Sequence, residues 1–222
     1  MGKQLVLPRK DKDGNYYISY SQINKYKRSK RDYIRSYFFG EDTATEALKK
    51  YGAFGHKVGE AYEDNDFSKW NKEEAEFLKG LPHYDEFERE IKLQMDGFYV
   101  LGFIDTNTKL EEGFVKHIGD YKTGEIAKRA DEYKSDDYEQ LDIYGAALEQ
   151  EFGKLPESAK VILIGRGGNA FKGEELTLTM DVEIIDKEMS LERMEQVKAN
   201  VQAVAEEISG LYGSFLKLMG NE

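Results

Sequence analysis

The spacing of apolar residues along the chain changes from helical to strand-like after about residue 80. Before that point, apolar positions recur at roughly helical intervals and are interrupted by polar and turn-forming residues. These patterns predict a first helix within residues 16–39 that begins near Ser19 or Ser21, a second over 44–63 with a break near Gly52 or Gly55, and a third over 71–79. The Gly80-Leu81-Pro82 sequence ends the third helix.

The next region has the alternation and turn residues of a β-sheet. Two predicted strands, 87–95 and 98–106, flank Asp96-Gly97, which is a strong two-residue hairpin signal. Three more strands are predicted over 114–122, 160–166 and 176–185. The 160–166 segment, KVILIGR, is almost entirely apolar, as expected for a strand that is buried on both faces.

Two further helices complete the predicted elements. One covers residues 133–152, and a long final helix covers 187–219, where apolar residues from Met194 to Leu218 alternate at spacings of three and four. We expect that stripe to pack on the sheet, with an oligomer contact as the alternative. The order of elements predicts an α/β fold, a mixed central β-sheet flanked by helices, with an N-terminal helical segment and a long C-terminal helix.

Composition narrows the class of protein. The 222 residues carry 32 Lys and Arg against 43 Asp and Glu, a net charge of −11, and contain no cysteine. Disulfides, thiolate zinc sites, an iron–sulfur cluster and a cysteine nucleophile are therefore excluded. Since no apolar run approaches the ~20 residues of a membrane span, and the apolar stretch near the N-terminus is too short for a signal peptide, we expect a cytoplasmic protein without membrane contact. We expect a single domain over 1–222: helical segment 17–80, sheet core 86–185 and C-terminal helix 187–219.

Four short motifs place candidate chemistry on these elements. They are Gly52–His56 in the second helix, Gly102–Asp105 at a strand end, Asp120–Gly124 in DYKTG, and Gln140–Tyr144 in QLDIY. Asp120 and Lys122 share one face of their strand because side chains alternate, and Asp105 ends the neighbouring strand. An imidazole from His56 with two carboxylates suits octahedral Mg²⁺ or Mn²⁺.

The motifs in this order resemble the RecB-like branch of the PD-(D/E)XK nuclease superfamily, over roughly residues 17–170. The resemblance implies a restriction-endonuclease-like fold and a divalent metal held by His56, Asp105, Asp120 and the backbone carbonyl of Tyr121. It implies that Lys122 is the catalytic lysine, and that Gln140 and Tyr144 support the site and contact DNA.

Two departures from that family refine the expectation. Many single-domain relatives carry four cysteines that hold an iron–sulfur cluster, and this chain has none. It therefore resembles the cluster-free members, many of them phage-encoded. No helicase motif accompanies the nuclease motifs.

Residues around the four motifs leave several alternatives open. The segment 25–35 has a local excess of positive charge and is a candidate DNA contact or an ordinary solvated helix face; its basic residues are Lys25, Lys27, Arg28, Lys30, Arg31 and Arg35. Tyr26 and Tyr33 within it could stack on bases. Lys128, Arg129 and Lys134 could add phosphate contacts. Glu60, Glu88 and Glu90 are weaker candidates for the metal cluster, whereas His83 and His117 are interpreted as structural.

These inferences predict a metal-dependent deoxyribonuclease. The expected activity is exonucleolytic, on DNA that is single-stranded or has free ends, in recombination, repair or phage DNA processing. The alternatives are a structure-specific endonuclease on the same site and a non-cleaving DNA-binding or assembly module. A homo-oligomer or a recombination protein is a possible further partner.

Overall fold

The computed structural model describes residues 5–220, in which helices surround one large mixed sheet. The elements in chain order are β1 (Tyr17–Ser19), α1 (Tyr20–Arg28), α2 (Lys30–Tyr37), α3 (Glu46–Glu63), α4 (Lys72–Lys79), β2 (Glu86–Gln94), β3 (Tyr99–Asn107), β4 (Leu110–Glu111), β5 (Phe114–Val115), β6 (His117–Gly124), α5 (Ile126–Lys134), α6 (Gln140–Phe152), β7 (Ser158–Gly167), a 3₁₀ turn (Ala170–Lys172), β8 (Thr177–Lys187) and α7 (Leu191–Leu218). The predicted mixed α/β architecture with a long C-terminal helix is confirmed.

Strand β3 is the centre of the sheet's topology. Strand β2 pairs antiparallel from Glu86 opposite Asn107 to Gln94 opposite Tyr99, with an interruption at Glu88. The other edge of β3 is shared: β1 pairs parallel to its start, and β6 pairs antiparallel to its end. The sheet then continues through parallel β7 to antiparallel β8. The middle of that shared edge of β3 is thus left without a partner strand.

The first predicted helix is in fact a strand and two helices. Ser29 adopts an extended backbone between α1 and α2, and its hydroxyl accepts a hydrogen bond from the Asp32 N–H. Ser19 caps the start of α1 in the same way. Serine favours such caps because its side chain satisfies an N–H that the first helical turn leaves free. The predicted start near Ser19 is therefore confirmed, whereas a single helix from there through residue 39 is wrong.

Three other boundaries also differ from the predicted ones. Helix α3 runs through Gly52 and Gly55 without the expected break. The predicted helix over 133–152 begins only at Gln140, as α6, because the chain turns at residues 135–139, where Lys187 Nζ donates to the Ser135 carbonyl at 2.9 Å. Helix α5, which precedes that turn, was not predicted. The predicted strand over 114–122 is divided into β5 and β6, and β5 pairs with β4 in a separate small hairpin.

Apolar side chains cover both faces of the sheet. In β7, Val161 and Leu163 pack toward α6 and α7, while Ile162 and Ile164 pack toward α3 and α4. All four are fully buried, so the expectation of a strand covered on both faces is confirmed. Helix α7 buries the part of its apolar stripe from Met194 to Ile208 in the first of these layers, as expected for core packing, whereas Leu211 and Leu218 are exposed.

Among the helices of the described part, none combines the length and apolar character that crossing a membrane requires.

Candidate active site where β3 and β6 separate

Strands β3 and β6 diverge immediately beside two aspartates. Their ladder consists of Thr106 opposite Gly119 and Asn107 opposite Ile118. The next antiparallel position would set Asp105 opposite Asp120, and at that point the pairing stops. The Asp105 carboxylate instead accepts a hydrogen bond from the Tyr121 N–H at 2.7 Å. The fork therefore places two carboxylates, distant in sequence, at one point of the sheet.

Asp120 is held by donors on two sides. Its side chain is fully buried, and Lys122 Nζ lies 2.5 Å from Oδ2. The Tyr138 hydroxyl donates to Oδ2 and Gln140 Nε2 donates to Oδ1, both at 2.8 Å. Gln140 Nε2 also lies 2.7 Å from the Tyr144 hydroxyl. The predicted pairing of Asp120 with Lys122 on one strand face is thus present, and the Gln140–Tyr144 motif lies directly behind it.

Gly102 couples the second motif to the fourth. A Cβ at this position would lie 2.7 Å from Cε1 of Tyr144 and 3.1 Å from Cδ1 of Ile91. Real Cβ atoms do not approach carbon this closely, so only glycine lets the Tyr144 ring pass over β3. In the Gly102–Asp105 motif, glycine is therefore required for packing, whereas the aspartate is the candidate for chemistry.

Burial and the charges of neighbouring side chains change the pKa values of Asp105 and Lys122. Burial and the negative charge of Asp120 raise the pKa of Asp105, while the Lys122 ammonium and the Tyr121 N–H oppose the shift. Burial disfavours the charged Lys122, but the carboxylates of Asp120 and Asp105 outweigh it and hold the pKa of Lys122 above its usual value. Lys122 is accordingly an ammonium that donates to Asp120, with a quarter of its side chain still exposed to solvent.

Two acidic residues near the fork differ from their expected roles. Glu88 lies opposite Asp105 on β2, has a left-handed backbone with φ of 50°, and falls out of the strand ladder. Both glutamates are exposed, but the Glu88 carboxylate acts electrostatically on Asp105, whereas Glu90 pairs with Lys92 at 3.0 Å. Glu88, and not Glu90, is therefore the β2 glutamate that faces the aspartates.

His56 approaches the same region from helix α3. It is exposed and acts electrostatically on Glu88, whose pKa is raised by burial and by Glu63. Glu60, one turn further along, is exposed and forms an ion pair with Lys69 at 2.9 Å. The other histidines have structural partners, since His83 contacts the Leu81 carbonyl and His117 contacts Ser158.

The donor set matches the chemistry of a hard divalent cation, although it is not preassembled. Within residues 5–220, no three His, Asp or Glu side chains converge at distances that would hold a metal ion. Asp105 and Asp120 nevertheless supply carboxylate oxygens at one fork, and His56 supplies a nitrogen nearby, which are ligands that Mg²⁺ and Mn²⁺ accept. The buried negative charge at Asp120 is balanced here by Lys122 alone.

Most cations of the basic segment 25–35 already have internal partners. Lys27 pairs with buried Glu139 at 2.6 Å, Arg28 with Glu132 at 2.5 Å, and Lys30 with Glu207 at 2.7 Å.

Lys25 donates to Ser36 and Thr43, and Arg35 pairs with Glu41. Among the described residues, Arg31 is the basic side chain of this segment with neither an ion pair nor a hydrogen bond; it is exposed. The segment's excess positive charge is therefore largely neutralised within the fold.

Tyr26 and Tyr33 do not face solvent. Tyr26 is 2% exposed and Tyr33 is fully buried, and their rings meet edge to face at 5.3 Å. Stacking of these two rings on bases, one of the sequence-based alternatives, is wrong because the rings belong to the core under α1 and α2. Their spacing matched that of an apolar helix face as well as that of a base-stacking surface.

The basic residues that follow β6 also have protein partners. Lys128 pairs with Glu125 at 2.6 Å, and Lys134 pairs with Glu183 at 2.5 Å. Arg129 donates to the Tyr133 hydroxyl at 2.7 Å. Their contact with phosphate remains a prediction.

Tyr138 is the site residue that the sequence pattern did not reveal. It lies in the turn before α6 and donates its hydroxyl to Asp120. Its position two residues before Gln140 was the available signal, because a short turn can direct both side chains to one acceptor.

Comparison with known proteins supports the fold. No protein-family model and no curated protein matches the chain. A solved crystal structure of a "putative exonuclease" from Eubacterium rectale superposes with a TM-score of 0.50 over 87% of this chain and 82% of that chain. The two sequences are 16% identical, so the likeness shows a shared mixed α/β fold and carries no residue-level assignment.

Proposed function

We propose that this protein is a divalent-metal-dependent DNA exonuclease of the RecB-like branch of the PD-(D/E)XK superfamily. The single observation that carries the proposal is the fork itself. Asp105 and Asp120 meet where β3 and β6 separate, and Lys122 contacts Asp120 from the same strand. The Eubacterium rectale protein is named a "putative exonuclease", which agrees with this proposal.

The residues of the fork have distinct tasks in the proposed reaction. His56, Asp105, Asp120 and the Tyr121 carbonyl would hold Mg²⁺ or Mn²⁺, which when bound activates water and stabilises charge on a phosphodiester. Lys122 is an ammonium with an exposed fraction, so it can donate a hydrogen bond to the attacking water or to a phosphate oxygen.

The residues behind Asp120 keep it oriented. Tyr138 and Gln140 donate to its two oxygens, and Tyr144 contacts Gln140 in turn. Such a shell fixes a carboxylate in one rotamer, which matters because small displacements of catalytic groups lower rates strongly. In this proposal Gln140 and Tyr144 act through Asp120.

Cleavage of single-stranded DNA of two topologies tests the proposal. End-labelled linear strands and closed circles of the same sequence are incubated with Mn²⁺, with and without excess chelator. We expect degradation of the linear strand only, and none with chelator. Cutting of circles would instead indicate an endonuclease, and binding without cleavage would indicate a DNA-binding module.

A matched pair of lysine variants tests the assignment of Lys122. Lys122→Met should abolish cleavage, while Lys92→Met should retain it. Lys92 is a suitable control because it too lies two residues after an acid on a strand and pairs with it, as Glu90-Ile-Lys92. Equal activity of the two variants, with both folded by circular dichroism, would contradict the role of Lys122.

A further inference from the structure

A second cationic group lies at the carboxyl end of β7, outside the fork. Arg166 is half-buried, and its Nε is buried without a hydrogen-bond partner among the described residues. Among residues 5–220, no carboxylate lies within ion-pair distance of the Arg166 guanidinium. An arginine in this state is unusual, because burial of its charge is normally offset by an acid.

One aromatic ring packs on this arginine, and a second ring packs on the first. Its guanidinium carbon lies 4.0 Å from the centre of the Tyr51 ring on α3. The Phe171 ring, 5.9 Å from that of Tyr51, is 66% exposed. The Tyr51 hydroxyl accepts a hydrogen bond from the Ala170 N–H at 3.0 Å, which ties the loop carrying Phe171 to α3. The Arg166 guanidinium and the exposed Phe171 ring thus both contact Tyr51.

The cleft beside Arg166 has backbone donors as well. It has a volume of about 490 Å³ and includes Ile126 and Ala127, the first two residues of α5. The N-cap residue of that helix, Glu125, makes no side-chain cap hydrogen bond. The first N–H groups of α5 and its positive dipole end therefore remain available to an anion.

The acidic groups of the cleft are Glu125, Glu174 and Asp181. Glu125 is paired with Lys128 at 2.6 Å, and Asp181 accepts the Thr179 hydroxyl. Lys172 on the rim adds a further positive charge near Glu174. Arg166 accordingly has no ion-pair partner among residues 5–220, and Glu125 acts on it electrostatically from a longer distance.

The position of the cleft suits a strand that passes over the fork. Gly124, two residues after Lys122, pairs with Gly165, so Arg166 lies one strand across and about 10 Å along from Lys122 at the usual strand rise. On α3, Tyr51 precedes His56 by five residues, or about 7.5 Å of helix. The fork and the cleft are therefore neighbours along one edge.

We propose that Arg166, Phe171 and the start of α5 form a subsite for one nucleotide of a single-stranded nucleic acid. The phosphate contacts the Arg166 guanidinium and the α5 N–H groups, and the base stacks on Phe171. Tyr51 orients the guanidinium. The subsite rests on the proposed nuclease function and specifies how the substrate strand is held beside the fork.

Binding measured in chelator tests the subsite without any cleavage. Fluorescence anisotropy of a short labelled oligothymidylate is compared for wild type, Arg166→Ala, Phe171→Ala and Lys160→Ala. Lys160 is the matched control because it lies at the opposite end of β7 and pairs with Asp186 at 2.7 Å. We expect about tenfold weaker binding for each of the first two variants, the size of one lost stack or phosphate contact, and no change for Lys160→Ala.

An abasic strand of the same length separates the two contacts. On it, Arg166→Ala should still weaken binding and lower the salt slope by about one, while Phe171→Ala should have no effect. If Arg166→Ala does not fold, Arg166→Gln and Phe171→Ala carry the test.

Two results would overturn the subsite: wild-type affinity in the Arg166 and Phe171 variants, or an equal loss in Lys160→Ala. A wild type that binds the oligonucleotide but does not cleave it with Mn²⁺ would refute the nuclease proposal and leave the subsite supported.

Discussion

Comparing Lys27→Ala with Arg31→Ala should distinguish a lysine that stabilises the fold from an arginine that is available to contact DNA. Lys27 Nζ lies 2.6 Å from Glu139 Oε2, and Asn200 Nδ2 lies 2.6 Å from Oε1 of the same carboxylate. Glu139 is only 2% exposed, so Lys27→Ala leaves a buried charge with a single donor. Arg31, on the next helix, is exposed and makes no such contact.

The expected cost of Lys27→Ala is about 2–3 kcal/mol of unfolding free energy. Breaking a fully buried ion pair costs about 3–5 kcal/mol, and Lys27 itself is 39% exposed, which lets water replace part of the lost interaction. Arg31→Ala should change stability by less than about 0.5 kcal/mol, as is usual at the surface. If the segment touches DNA, Arg31→Ala should reduce the salt dependence of binding.

Urea denaturation followed by circular dichroism gives the stability of both variants. Because Glu139 lies between Tyr138 and Gln140, Lys27→Ala should also lower cleavage activity through the loss of order around Asp120. A double variant with Glu139→Gln should recover part of the stability, since the buried charge is then removed. An unfolding free energy of Lys27→Ala within about 0.5 kcal/mol of wild type would refute this reasoning. Lys27 would then be an ordinary residue of a solvated helix face.

Two further substitutions test the packing behind the fork. Gly102→Ala should lower the free energy of unfolding by about 1–3 kcal/mol and reduce activity, because the new Cβ would lie 2.7 Å from the Tyr144 ring. Thermal unfolding measures the loss, and an unchanged melting temperature would contradict the contact. Tyr138→Phe should lower the free energy of unfolding by about 1–2 kcal/mol, because Asp120 loses one of its hydrogen-bond donors. It should also lower kcat more than it changes KM. A change in KM alone would show that Tyr138 contacts the substrate instead.

The central strands and the candidate site residues could be expected from the sequence because their signals are local. The Asp96-Gly97 turn, the apolar run of β7 and the spacing of Asp120 and Lys122 each depend on neighbours within a few residues. The break of α1 and α2 at Ser29 is local too, but a serine inside an amphipathic pattern does not by itself show whether it caps or continues a helix.

The partners of charged and aromatic side chains were decided by tertiary structure. Lys27 and Tyr33 have the same local pattern whether they face DNA or the protein interior, and only the packing of α1 and α2 on α6 and α7 resolves this. The opposition of Asp105 and Asp120 likewise depends on where β3 and β6 stop pairing. The sequence alone thus determined which residues are candidates for the chemistry, whereas long-range packing determined which of them meet, because charge pairing and burial depend on three-dimensional distance.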